Sequence, residues 1–96
     1  MTPPISQVKL FVSCIRAARG ALGWSQSRLA KEAGISKVSL ARLEAGTGSP
    51  RFSTVTRIRE ALTNAGIKIV EDQPSGGYTV IVSQRALDDG GVTEDP

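Results

Sequence analysis

Histidine is absent from this 96-residue chain, and cysteine occurs once, at Cys14. Those shortages remove most of what metal sites and covalent catalysis draw on. Zinc needs clusters of Cys, His or carboxylate, and an activated nucleophile needs an oriented base beside it. Residues 1–70 hold no carboxylate cluster, and no glycine-rich loop follows a strand to cradle a phosphate. The expectation is a non-enzyme with no cofactor and no metal. A lone cysteine also excludes an internal disulfide; with Leu10, Phe11 and Ile15 nearby, Cys14 reads as a small core hydrophobe. Aromatics number four (Phe11, Trp24, Phe52 and Tyr78), so Leu, Ile, Val and Ala must supply most of the core. No apolar run approaches the roughly 20 residues of a membrane span. The first residues lack the basic region and long apolar stretch of an export signal. A single domain in the cytoplasm is expected.

Charge, by contrast, is plentiful and unevenly placed. The net +3 divides into residues 1–70, with four Lys and seven Arg against three Glu, and residues 71–96, with one Arg against six acids. A body of +8 followed by a segment of −5 suits a polyanion as the partner of the body.

The apolar spacing predicts helices first. Met1 to Ile5, with Pro3 and Pro4, reads as an arm. From a cap at Ser6, Val8, Phe11, Val12, Ile15, Ala18 and Leu22 recur at three- and four-residue steps up to Gly23. Residues 25–46, SQSRLAKEAGISKVSLARLEAG, are the richest stretch. Ser25 caps a helix bearing Leu29, Ala30 and Ala33. Gly34 supplies a left-handed turn, Ile35 plugs the corner, and Ser36 caps a second helix with Leu40 and Leu43 on its apolar side. Gly46 ends it. Two short helices joined by such a turn form a helix-turn-helix, whose second helix is offered to the DNA major groove. After the breaker cluster at 46–50, a fourth helix is expected from a cap at Ser53, with Val55, Ile58, Leu62 and Ala65 inward and Gly66 as its stop.

Beyond Gly66 the period changes. Residues 67–70 and 78–82 are rich in β-branched side chains, and Pro74, Ser75, Gly76 and Gly77 break the chain between them. The expectation is a β-hairpin over 67–82. An isolated hairpin is marginal in water, so it needs either the helical body or a second copy as its support. Pairing of two hairpins into a four-stranded sheet would place Ile67, Ile69, Tyr78, Val80 and Val82 in a dimer interface. Residues 83–96, with four acids and no apolar period, read as a mobile tail.

Ile15, Arg19, Gly23, Gln26, Leu29, Ala30, Ala33, the run Gly34-Ile35-Ser36, Leu40, Leu43, Glu44, Gly46 and the run Pro50-Arg51-Phe52 follow one another at a spacing that resembles the Cro/repressor-type helix-turn-helix family. The resemblance covers about residues 15–65. Departures are Gly20 inside the first helix, at a cost of up to about 1 kcal/mol relative to Ala, Trp24 where an aliphatic residue is usual, and a short 46–50 loop. The implied fold is mainly α: a four-helix Cro/repressor-type domain over residues 6–66, followed by the hairpin.

The resemblance also implies roles. Ser36, Lys37, Val38 and Arg42 fall where base edges are contacted. Arg42 can span guanine O6 and N7, Lys37 can reach the same acceptors or a phosphate, Val38 suits a thymine methyl, and Ser36 serves as cap or base contact. Gln26, Ser39 and Arg51 match phosphate-contacting positions, with Arg28 and Lys31 as auxiliaries. Arg19 and Glu44 match a structural ion pair whose disruption costs on the order of 3–5 kcal/mol when burial is deep. Trp24 reads as packing. The implied function is a double-stranded DNA-binding transcriptional regulator, a homodimer repressing through an inverted-repeat operator. The alternative is a protein partner: antitoxins and antiactivators resemble this family too, and would use the hairpin and acidic tail, with or without DNA autoregulation.

Overall fold

The computed structural model describes residues 5–47, 50–72 and 77–89. Five helices and one hairpin follow in the order α1 (Ile5–Leu22), α2 (Gln26–Ala33), α3 (Lys37–Glu44), α4 (Phe52–Asn64), β1 (Ile67–Asp72), β2 (Gly77–Val82) and α5 (Gln84–Asp89).

The expected helices form where their caps and apolar stripes place them. Ser25 Oγ accepts the backbone N–H of Arg28, and Ser36 Oγ accepts that of Ser39, each satisfying a donor that the first helical turn leaves over. Gly34 sits at φ +70°, and its N–H and that of Ile35 close back on the last turn of α2. Two expected caps are displaced. Helix α1 already begins at Ile5, so Ser6 lies inside its first turn rather than at its cap. Helix α4 begins at Phe52 with Arg51 in the capping position, so Ser53 is likewise internal. Arg51 takes the extended conformation of a capping residue, with ψ at 146°, and makes no side-chain cap hydrogen bond.

The core is built from Ile15, Ala18 and Leu22 of α1, Leu29 and Ala30 of α2, Leu40 and Leu43 of α3, and Ile58 and Leu62 of α4, all buried. At roughly 1.5–3 kcal/mol for each large aliphatic side chain removed from water, this cluster dominates the stability of the body. Trp24 packs against it at the α1–α2 corner with Arg28 stacked over the ring, 4.8 Å from its centroid. Phe52 does not join it and stands 79% exposed.

The hairpin forms with the antiparallel register Ile67↔Val82, Ile69↔Val80 and Glu71↔Tyr78. Its support is the helical body. Strand β1 packs on α4 and β2 on α1, with the Tyr78 ring 6.3 Å from that of Phe11. Ile67 and Ile69 are buried in the core, while Tyr78 and Val80 are half-buried against it. The face expected to meet a second copy is thus mostly occupied by the chain's own helices.

The segment after the hairpin departs from expectation as well. Instead of leaving as a tail, the chain forms α5, and Ala86 is fully buried. One small residue on a short helix offers no period to detect, which is why the sequence hid it. Gly66 makes the fit possible. At φ +96°, it leaves room where a Cβ would lie 2.5 Å from Ser83 Oγ and 2.9 Å from the Ala86 backbone nitrogen. Its carbonyl accepts the N–H of Ser83, and Arg85 donates to the carbonyl of Asn64. Of the arm expected over residues 1–5, Ile5 belongs to α1 and the rest lies outside the described residues, as do residues 73–76 and residues 90–96 of the expected tail.

Candidate nucleic-acid interface

Helix α3 has two dissimilar sides because its apolar residues are three apart. Leu40, Leu43 and Glu44 point inward, while Lys37, Val38, Ser39 and Arg42 are exposed. Val38 and Arg42 are four residues apart, so they share one outward stripe. Val38 stands 61% exposed. Arg42 and Ser39 also line a shallow cleft with Thr47, Pro50, Arg51 and Thr54, between α3 and the start of α4. The structure thereby brings Ser39, Arg42 and Arg51 into one cluster. Lys37, Arg42 and Arg51 form no ion pair among the described residues, leaving three cations open to an anion.

Ser36 and Ser39 are less free than their exposure suggests. The Ser36 hydroxyl donates to Ser39 Oγ at 2.9 Å while accepting the Ser39 N–H at 3.0 Å. Ser36 is therefore a cap held in place, and Ser39 Oγ, acting as acceptor, keeps its own hydrogen for an outside oxygen. The Arg28 guanidinium lies over Trp24 and pairs with Glu32 at 3.1 Å. Lys31 is exposed on α2.

Behind this surface α3 is locked. The Glu44 carboxylate, 2% exposed, receives Arg19 Nη2 at 2.8 Å and Arg19 Nε at 3.0 Å, a two-pronged contact of the kind that fixes both partners' orientation. Arg19 Nη1 also donates to the Trp24 carbonyl. Arg19 and Glu44 thus meet as the resemblance implied. Two further participants escaped the sequence reading. Arg16, one turn before Arg19, donates to the Glu44 carbonyl at 2.7 Å and so caps the C-terminal end of α3. Gln26 donates through Nε2 to Glu44 Oε1 at 3.0 Å. The signal for Arg16 was its three-residue spacing from Arg19 on α1. Gln26 carried no signal, since an amide at a helix start serves a phosphate and a carboxylate equally well. With that N–H engaged, Gln26 joins α2 to α3.

Arg57, on α4, donates to the carbonyl of Gly34 at 3.2 Å and braces the turn between the two helices. Among the described residues, no group of His, Cys, Asp and Glu has the arrangement of a metal site, and no helix is long and apolar enough to cross a membrane.

A protein-family comparison matches residues 15–63 to a family described as helix-turn-helix. The match begins at Ile15, in the middle of α1, and ends at Thr63, the penultimate residue of α4, so it spans the whole locked assembly and stops before the hairpin. Searches among curated proteins and among solved structures return no significant match.

Proposed function

As a member of the helix-turn-helix family of the Cro/C1 type, the chain is a DNA-binding transcription regulator, and we propose that it acts as a dimeric repressor that occludes a promoter by binding an inverted-repeat operator. The observation that carries this reading is the contrast within α3: an outward stripe of Val38 and Arg42 flanked by unpaired cations, on a helix whose inner side is fixed by Glu44. Base readout needs side chains held at a set depth in the groove, and a helix anchored at its far end supplies that.

Arg42 reads guanine through two parallel hydrogen bonds, worth roughly 1–3 kcal/mol of discrimination. Val38 packs on a thymine methyl, and Lys37 reaches the next base or its phosphate. Ser36, held as the helix cap, lies at the groove-facing end. Ser39, Arg51 and Gln26 meet phosphates and set the register. A second copy brings a second α3 to the next turn of the same face of the duplex, about 34 Å away. The reading is tested by selecting bound sequences from a random DNA pool at about 150 mM salt, where nonspecific binding is weakened. An enriched inverted repeat is the expected result. Failure of a folded protein to enrich any motif would overturn sequence-specific repression and favour a protein partner.

A further inference from the structure

A cleft of about 200 Å³ opens where the C-terminal ends of α1 and α4 meet α2. Leu22, Ala61 and Ala65 supply the apolar part of its lining, and Trp24, Arg28, Glu32 and Asn64 the rest. Arg28 and Glu32, four residues apart, share one stripe of α2. Gln26 lies about 200° round the same helix from Arg28, and it is Gln26 that reaches Glu44. The cleft therefore opens away from the junction with α3. Much of its polar lining is unused. Arg28 donates Nε to Glu32 Oε2 at 3.1 Å, while its two terminal nitrogens meet no acceptor among the described residues. Glu32 Oε1, the indole N–H of Trp24 and the side-chain amide of Asn64 likewise form no hydrogen bond there. The stack on Trp24, 4.8 Å from the ring centroid, steadies the guanidinium. A cation and an anion thus stand together beside an apolar floor.

We propose that this cleft binds a free α-amino acid with a small aliphatic side chain. The ion pair sets the class of ligand. A simple carboxylate would bring a like charge to Glu32, and a simple amine a like charge to Arg28. An α-amino acid carries both charges on one carbon. Its carboxylate takes the two terminal nitrogens of Arg28, a two-pronged contact, and its ammonium donates to Glu32 Oε1. The Asn64 amide both donates and accepts, so it serves either end. The side chain rests on Leu22, Ala61, Ala65 and the indole. The cleft is smaller than the roughly 300–1,000 Å³ of pockets for drug-sized molecules, which holds the ligand to a small one. Charges that stay in contact with water add little each, so the affinity is on the order of 1 mM.

Trp24 is the chain's one tryptophan, so its emission reports on this cleft without a label. The experiment titrates the full chain, without DNA, with L-leucine up to about 50 mM, well past an affinity on the order of 1 mM. A saturable change in emission is expected, with backbone amide shifts centred on Trp24, Arg28, Glu32, Ala61 and Asn64. N-acetyl-leucine lacks the ammonium and leucinamide lacks the carboxylate; each is expected to bind about tenfold more weakly than leucine. Glu32→Gln keeps the shape of the side chain and removes its charge. It is expected to weaken leucine by a similar factor and to erase the difference between leucine and N-acetyl-leucine. The ligand series needs no variant, so it decides the matter if the substitution disturbs folding. No saturable response, an equal response to all three compounds, or a folded Glu32→Gln that binds leucine as the wild type does overturns the proposal. Because no DNA is present, each of these outcomes is independent of the operator selection.

Discussion

At its C-terminal end α3 presents Glu44, almost wholly buried and held by Arg19 and Gln26, with Arg16 on its backbone carbonyl; at its N-terminal end Lys37 and Val38 stand exposed, and Lys37 forms no ion pair among the described residues. The same eight-residue helix is thus overdetermined at one end and underdetermined at the other. An eight-residue helix is too short to hold itself together in water, so the fixed end and the buried Leu40 and Leu43 must hold it. The bare end can then be spent on recognition, because none of its side chains is needed for the fold. Stability and specificity are expected to separate along this one helix, and mutations can test that separation.

The largest effect is expected at the fixed end. Glu44→Ala leaves Arg19, with little access to water, facing no anion, and a buried pair broken from one side costs about 3–5 kcal/mol. Chemical denaturation would measure it as a fall in the midpoint at unchanged slope. A loss below about 1 kcal/mol would mean that the corner is wetter than its geometry implies. Next in size is Gly66→Ala, at the junction of α4, the hairpin and α5. A Cβ there is opposed by the left-handed backbone and by the Ala86 nitrogen at 2.9 Å, together about 2–4 kcal/mol. Gly34→Ala is its control: φ is again positive, at +70°, but nothing lies within 4 Å of the added carbon, so only the backbone cost of about 1–2 kcal/mol applies. Equal losses at the two glycines would show that α5 does not dock as described.

At the bare end the expected pattern inverts. Arg42→Ala changes folding stability by less than about 0.5 kcal/mol, as exposed substitutions do. It narrows the gap between operator and random DNA by about 1–3 kcal/mol. Competition binding against both DNAs at one salt concentration reads this directly. If specific and random affinities fall together, Arg42 touches phosphate and base readout lies elsewhere on α3.

What was legible in the sequence follows the same division. The helices of residues 15–63 were readable because each carries both an apolar period and a stop, as with Ser25, Gly34 and Ser36 around α2. The Arg19–Glu44 contact came through family resemblance, since no spacing rule joins residues 25 apart. Arg16 and Gln26 were missed as partners of Glu44, one on its backbone carbonyl and one on its carboxylate, because a side chain's choice between an internal acceptor and an external one is decided by tertiary geometry. The hairpin was readable from its β-branched runs, yet its direction was not: alternation along Ile67, Ile69, Tyr78 and Val80 marks an apolar face without saying whether helices or another copy will cover it. Helix α5 was invisible because it rests on Ala86 and on a vacancy at Gly66, neither of which leaves a pattern.

The smallest expected effect lies beneath the hairpin, away from both ends of α3. Burial raises the thiol of Cys14 above its ordinary 9.0, partly opposed by the charge of Arg59. Burial likewise raises the phenol of Tyr78 above its ordinary 10.0, with Glu71 adding to the rise and Arg59 working against it. Both groups are neutral when protonated, so the folded state binds these protons more tightly than the unfolded chain does. Their contribution is fully present below the unfolded values and is lost as pH rises through the folded ones. With no histidine in the chain, no side chain has an ordinary pKa between about 6 and 8. Thermal unfolding is therefore expected to give a flat plateau near neutrality and a decline that begins above about pH 9. Cys14→Ala lowers the whole curve by about 1 kcal/mol through lost packing and moves the onset of decline toward the tyrosine. The Arg42→Ala curve stays superimposable on wild type. A Cys14→Ala profile with the wild-type onset would place the alkaline sensitivity on Tyr78 alone. A plateau tilted near pH 7 would reveal a titrating group that this packing does not contain.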